Sequence, residues 1–198
     1  AITGKDRSDP IRSIVVSSIE HDAILRAAES LNRSPAEVNV QIVPVDKDGL
    51  VDPEAVARQV NRSTVLVSVM LVNNEVGTIQ NIAKISELVK AKAKSYGGDV
   101  LVHTDAVQAA GKLSLDVDEL GIDMLSLSAH KINGPKGVGA LYVRRWADVK
   151  PFQDGGGQEG GMRSGTENVP GIVGFGKAME LAETDRHGNW ARWVEMKS

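Results

Sequence analysis

"SLSAHKINGPKG", residues 126–137, is the stretch on which the fold turns. A short apolar run, Met124, Leu125 and Leu127 around Ser126, stops at small polar residues, and His130 and Lys131 follow. Asn133, Gly134, Pro135 and Gly137 then supply turn chemistry before a second apolar run at 138–143. Such a strand delivers an amine to its tip and reverses at once.

Working outward from that tip, strand-like runs alternate with helical patterns. Ile14, Val15 and Val16 precede Ser17 and Glu20, which have capping-box spacing. Residues 23–31 are apolar at helical intervals, and 38–45 read as a strand. Asp52 before Pro53 predicts a capped helix. Residues 64–72 form an unbroken apolar run, suited to a strand covered on both faces. Ile82, Ile85, Leu88 and Val89 fall on one helical face. Short strands follow at 100–102 and 123–128. Residues 169–194 read as helix, broken near Gly188, and 155–165 as a glycine-rich irregular segment. Repeated strand–helix units predict an α/β protein with three α/β/α layers and a mostly parallel sheet.

The chain has 198 residues, enough for one domain, and a net charge of -3 with both signs intermixed. That leaves no electrostatic footprint for nucleic acid or an anionic membrane surface. No apolar run approaches the roughly 20 residues of a spanning helix. Residues 1–10 are polar and do not read as a signal peptide. Cysteine is absent, which rules out disulfides, thiolate metal sites and a cysteine nucleophile within this chain. The expected compartment is the cytoplasm, with an organelle matrix as the alternative.

In wound sheets ligands sit beyond the carboxyl ends of the strands. Four such ends carry chemistry: 17–21, 73–75, 103–105 and 128–131. A lysine on a strand tip can bond an aldehyde, and pyridoxal 5'-phosphate is the cofactor that uses one. That cofactor needs an anion at its pyridine nitrogen, and Asp105 has the charge and the position. His21 can stack on the ring, Asn74 and Gln108 can reach its substituents, and Ser128 and His130 can bind phosphate. Each residue also has a plainer reading. Lys131 could be a solvated charge, Asp105 a cap for a helix at 106–110, and Asn73 and Asn74 turn residues. The plain readings must be invoked separately at every tip, whereas one ring explains them together.

Rival motifs are weaker. "GIVGFGKA", residues 171–178, nearly matches a phosphate-binding loop, but Ala178 stands where a magnesium-binding hydroxyl belongs. Its glycines read instead as close packing at a helix start. His103 and Asp105 are two metal-type ligands without a third, so no metal site is expected.

The segments "SSIEHDAI" (17–24), "VSVMLVNNEVGTIQ" (67–80), "VHTDAVQAAGKLSLDV" (102–117), "SLSAHKINGPKGVGALYVRR" (126–145) and "GGGQEGGMRSGTENV" (155–169) resemble the cysteine desulfurases. These are NifS- and IscS-like enzymes of the class V aminotransferase fold, pyridoxal-phosphate-dependent transferases of fold type I. The resemblance implies that Lys131 bonds the cofactor and that His21 stacks on it and moves protons. Asp105 would pair with the pyridine nitrogen, Gln108 with the phenolic oxygen, and Asn74 with cofactor or substrate. Ser128 and His130 would hold the phosphate. Thr166 would reach the phosphate in a neighbouring subunit, making the site a homodimer's. The implied reaction turns L-cysteine into L-alanine and a sulfane sulfur for iron–sulfur clusters or other thio-cofactors, passed to a scaffold or acceptor protein. Selenocysteine lyases are similar through the same segments. The family's persulfide-forming cysteine, its substrate-clamping arginine and a Gly-Ala-Thr-Glu-like phosphate segment are not in these residues. Residues 1–198 thus read as an incomplete cofactor-binding large domain, and a non-catalytic dimerisation or scaffold-docking piece is the alternative.

Overall fold

All five residues of the first apolar run are buried, which requires cover on both faces of the strand. A computed structural model, describing residues 12–33 and 38–197, shows the source of that cover. β1 (Ser13–Ser17) lies inside a six-stranded sheet, flanked by β2 (Asn39–Val43) and β3 (Thr64–Ser68). β4 (Leu101–Asp105), β5 (Met124–Ser128) and β6 (Gly139–Val143) complete the order β2-β1-β3-β4-β5-β6. Every pairing is parallel except β5 with β6. Residues 1–10, read above as free of a signal peptide, lie outside the described residues.

Side chains alternate along β1, as the pleat demands. Val15 joins a core with Val67, Val102, Val56, Ile85 and Val89. The last three come from α2 (Pro53–Gln59) and α3 (Ile82–Lys94). Ile14 and Val16 face the other way, onto Ala28, Ile24 and Leu25 of α1 (Asp22–Asn32). Helices on both faces of a mostly parallel sheet make the three layers expected from the sequence.

Asp52 caps α2, accepting from the Glu54 N–H at 3.0 Å with Pro53 in the first turn. Ser17 and Glu20 do not form a capping box: His21 caps α1, and Ser17 is the buried last residue of β1. Residues 106–110 make successive turns rather than a helix, with Asp105 Oδ1 taking the Val107 N–H at 2.9 Å. The last helical region breaks at Asp185, between α4 (Val169–Thr184) and α5 (Arg186–Lys197). Gly188 lies within α5, because one glycine costs a helix only about 1 kcal/mol. The "GIVGFGKA" segment is entirely inside α4, where a Cβ on Gly174 would come 2.7 Å from Pro135 Cγ. Gly174 therefore serves close packing on Pro135, and the segment, being helical throughout, forms no phosphate loop.

The opening stretch folds as a short 3-10 turn, Ala129–Ile132, between β5 and β6. Ala129 N–H bonds Val138 O at 3.1 Å and Gly134 N–H bonds Ala129 O at 2.9 Å. Asn133 turns left-handed at φ 62°, which asparagine tolerates. A Cβ on Gly134 would sit 2.9 Å from Ala129 O and 3.1 Å from Ala178 Cβ of α4. The glycine therefore lets the lysine-bearing turn press against α4.

Candidate active site

β1 to β2 runs to one side and β3 to β5 to the other, so the winding reverses between β1 and β3. That reversal opens a crevice at the carboxyl ends of the strands. Seven of the eight predicted residues stand on this rim. His21 follows β1, Asn74 follows β3, Asp105 ends β4 and Gln108 follows it. Ser128 ends β5, with His130 and Lys131 in the turn beyond. Thr166 comes from elsewhere, exposed on the loop before the α4 cap Asn168.

His21 Nδ1 accepts the Ala23 N–H at 3.1 Å, which puts the proton of its neutral ring on Nε2. The ring is exposed and can meet a flat ligand. Asp105 is half-buried, with Oδ1 occupied by the Val107 N–H, leaving Oδ2 for a ligand. Ser128 Oγ and His130 Nδ1 lie 2.8 Å apart as a ready polar pair. Lys131 is exposed. β4 and β5 pair with Asp105 opposite Ser126, which keeps acid and amine at neighbouring tips.

A cleft of about 300 Å³ lies against Lys131, lined also by Lys112, Asn133, Leu181, Asp185 and Asn189. Of the predicted residues it contains Lys131 alone. Burial, and then the Lys131 charge, push the Lys112 amine below its ordinary range. Lys112 was not singled out from the sequence, because only α4 and α5 make the wall that encloses it.

His103 is structural. Its Nδ1 lies 2.8 Å from Ser68 Oγ and its Nε2 2.8 Å from Ser126 Oγ, bridging β3 to β5. Burial pushes its pKa down to about 4. Among the described residues no three His, Asp or Glu side chains gather in a way that could hold a metal.

Two polar residues tie the crevice walls. Asn73 Nδ2 donates to Ile19 O at 2.9 Å while its Oδ1 takes the Glu75 and Val76 N–H groups. Glu20, 5% exposed, accepts the Met70 N–H at 2.7 Å and bonds Ser17 Oγ. The sequence signal for Glu20 was present, a Ser-x-x-Glu directly after a buried strand, but it pointed to a cap.

A wound sheet with an imidazole after β1, a carboxylate at the end of β4 and an amine just beyond β5 is an α/β arrangement of the kind that places ligands at the carboxyl ends of its strands. The "Aminotransferase class-V" profile matches residues 2–193, and the chain belongs to that family, whose members are pyridoxal 5'-phosphate enzymes. A cysteine desulfurase IscS of Dictyoglomus turgidum is 44% identical over 186 residues, covering 94% of this chain and 45% of that protein. One from Methanosarcina thermophila is 47% identical over 177 residues, covering 89% and 42%. Among solved structures, a NifS-like protein superposes with a TM-score of 0.85 at 44% identity, covering 91% of this chain and 48% of its own. The structure titled SspA in complex with cysteine gives 0.77 at 41% identity, covering 86% and 47%. The fold is that of the type I pyridoxal-phosphate-dependent transferases. The chain spans less than half the length of these relatives.

Proposed function

We propose that this chain is the cofactor-binding part of a pyridoxal-phosphate-dependent cysteine desulfurase. The observation that carries the reading is the rim itself: Lys131 and Asp105 at the neighbouring tips of β5 and β4 and His21 after β1 on the same carboxyl-end rim, with a Ser128–His130 pair beside the amine. Relatives at 44% and 47% identity named cysteine desulfurase support the substrate, as does a similar structure solved with cysteine.

The donor set fits the cofactor. Its primary amine suits an aldehyde, its half-buried carboxylate a protonated ring nitrogen, and its exposed imidazole a flat ring. When bound, the cofactor supplies an electron-withdrawing ring that acidifies the substrate α-carbon. Lys131 would hold the aldehyde, and its amine would also take the substrate α-proton. Asp105 would keep the ring nitrogen protonated through Oδ2. His21, with its ring proton on Nε2, would cover the ring and pass protons. Gln108 and Asn74 would orient the ring substituents and the substrate. Ser128 and His130 would bind the phosphate, joined by Thr166 from the second subunit of a homodimer. The chain has no cysteine, so the thiol that accepts the sulfur from L-cysteine would come from outside residues 1–198. L-alanine and a sulfane sulfur would be the products, the sulfur passing to an iron–sulfur scaffold or another acceptor protein. Residues 1–198 would be an incomplete, central part of one large domain, and the working compartment the cytoplasm or an organelle matrix.

The test is cofactor absorbance and alanine release from L-cysteine in the complete polypeptide. Lys131→Ala is expected to abolish both the lysine-bound cofactor band and turnover. Normal turnover by that variant, or no band in the parent at saturating cofactor, overturns the reading.

A further inference from the structure

Glu20 stands at the switch point and has no part in the reading above. Its Oε1 takes the Met70 N–H at 2.7 Å and the Ser17 hydroxyl, while Oε2 is buried with no partner among the described residues. The strap it grips, residues 69–71, extends β3 past Ser68 and is stitched to β4 on its other side. Val69 N–H bonds His103 O at 3.2 Å, Leu71 N–H bonds Asp105 O at 2.9 Å, and Thr104 Oγ1 donates to Val69 O at 2.7 Å. Glu20 therefore holds, at Met70, the middle of a strap whose next residue, Leu71, bonds the Asp105 carbonyl.

An ionised carboxylate with one buried, unpartnered oxygen is expensive, whereas the neutral acid loses far less. Burial raises the Glu20 pKa to about 7, against the lowering effect of its Ser17 and Met70 bonds, and the Asp105 charge pushes it the same way as burial. The groups facing it are few. β1 continues into His21, which is exposed; the strap is apolar; β4 presents Asp105, while both His103 nitrogens are engaged by Ser68 and Ser126.

We propose that Glu20 is a positioning residue for Asp105: its carboxyl pins the 69–71 strap at Met70, and in its protonated form it leaves the negative charge of the β1–β3–β4 junction to Asp105. The inference rests on the cofactor reading for its purpose, since Asp105 is the group that would meet the ring nitrogen. Its physical content is independent of that reading. The Asp105 charge adds to the burial that disfavours ionised Glu20, so removing it should ease Glu20 ionisation.

The experiment is a carboxyl titration by difference infrared spectroscopy on the complete, cofactor-free polypeptide, with a cofactor titration beside it. The parent is expected to show a protonated carboxyl band that disappears with a midpoint near the Glu20 value of about 7. Glu20→Gln should lack the band, and Asp105→Asn should move its midpoint to lower pH. Glu20→Gln, which keeps an uncharged acceptor for Met70 N–H, should rescue pyridoxal phosphate affinity to within about twofold of the parent. Glu20→Ala should weaken it about tenfold, an effect of a lost buried hydrogen bond. A midpoint in the ordinary carboxylate range, a midpoint unmoved by Asp105→Asn, or full affinity in Glu20→Ala overturns the inference. If the carboxyl titration behaves as expected but the parent binds no cofactor at Lys131, the coupling stands and the functional reading fails.

Discussion

His103 and Glu20 lie on adjacent parts of one buried junction and respond to pH in opposite directions. His103 has a folded pKa near 4, below its ordinary 6.5. As pH falls from 6.5 towards 4, the unfolded chain accepts a proton that the folded chain refuses, and stability is lost. Below that window both states are charged and the loss is complete, on the order of 3 kcal/mol. His103→Gln should flatten this acid slope, as read by urea unfolding at both ends of the window; an unchanged slope would mean other groups cause it. Glu20 has a raised folded pKa, so its burial costs nothing below 4.5 and is costly above about 7. The placement of Lys131, Asp105 and His21 on the carboxyl-end rim was legible because parallel sheets put ligands at strand ends. The roles of His103 and Glu20 were not. The partners of His103 lie 35 and 23 positions away in sequence, and the Met70 N–H that donates to Glu20 lies 50 away. Local spacing carries no trace of either.

Among the elements, α2 depends most on its cap. It has seven residues, too few to be stable without tertiary help, and Asp52 satisfies its Glu54 N–H. Asp52→Ala should lower stability by about 1 kcal/mol in a denaturant titration. The nearby Arg58–Asp52 ion pair, 3.1 Å but exposed, adds little to that figure. This helix start was readable because Asp-Pro has one strong local meaning. The Ser17–Glu20 spacing has two, a cap or a buried link, and burial of the strand end selects the second. The helix break was misplaced for a related reason. Asp185 caps α4 through its own N–H to Leu181 O and Glu183 O, a feature of backbone geometry with no distinctive residue to announce it.

At the scale of the molecule, the core and the rim should separate under mutation. Ile85 is fully buried where α3 meets the sheet, and Ile85→Ala should cost about 2–4 kcal/mol in thermal or chemical unfolding. The folded fraction of that variant should still bind cofactor, whereas Lys131→Ala should fold normally and bind none covalently. The layer architecture was readable as a whole, since each apolar run had only one way to be covered on both sides. The cleft beside Lys131 was not, since it exists only where α4 and α5 close over the turn. The parallel order also governs biosynthesis. His21 and Lys131 are about 110 positions apart, and no hairpin joins their strands. At about 5–20 residues per second, a ribosome releases the imidazole on the order of ten seconds before the amine. For most of that interval the nascent rim has the ring alone, the Asp105 carboxylate joining it only about 26 residues before Lys131, so on the proposed reading cofactor loading would wait for the fifth strand to dock.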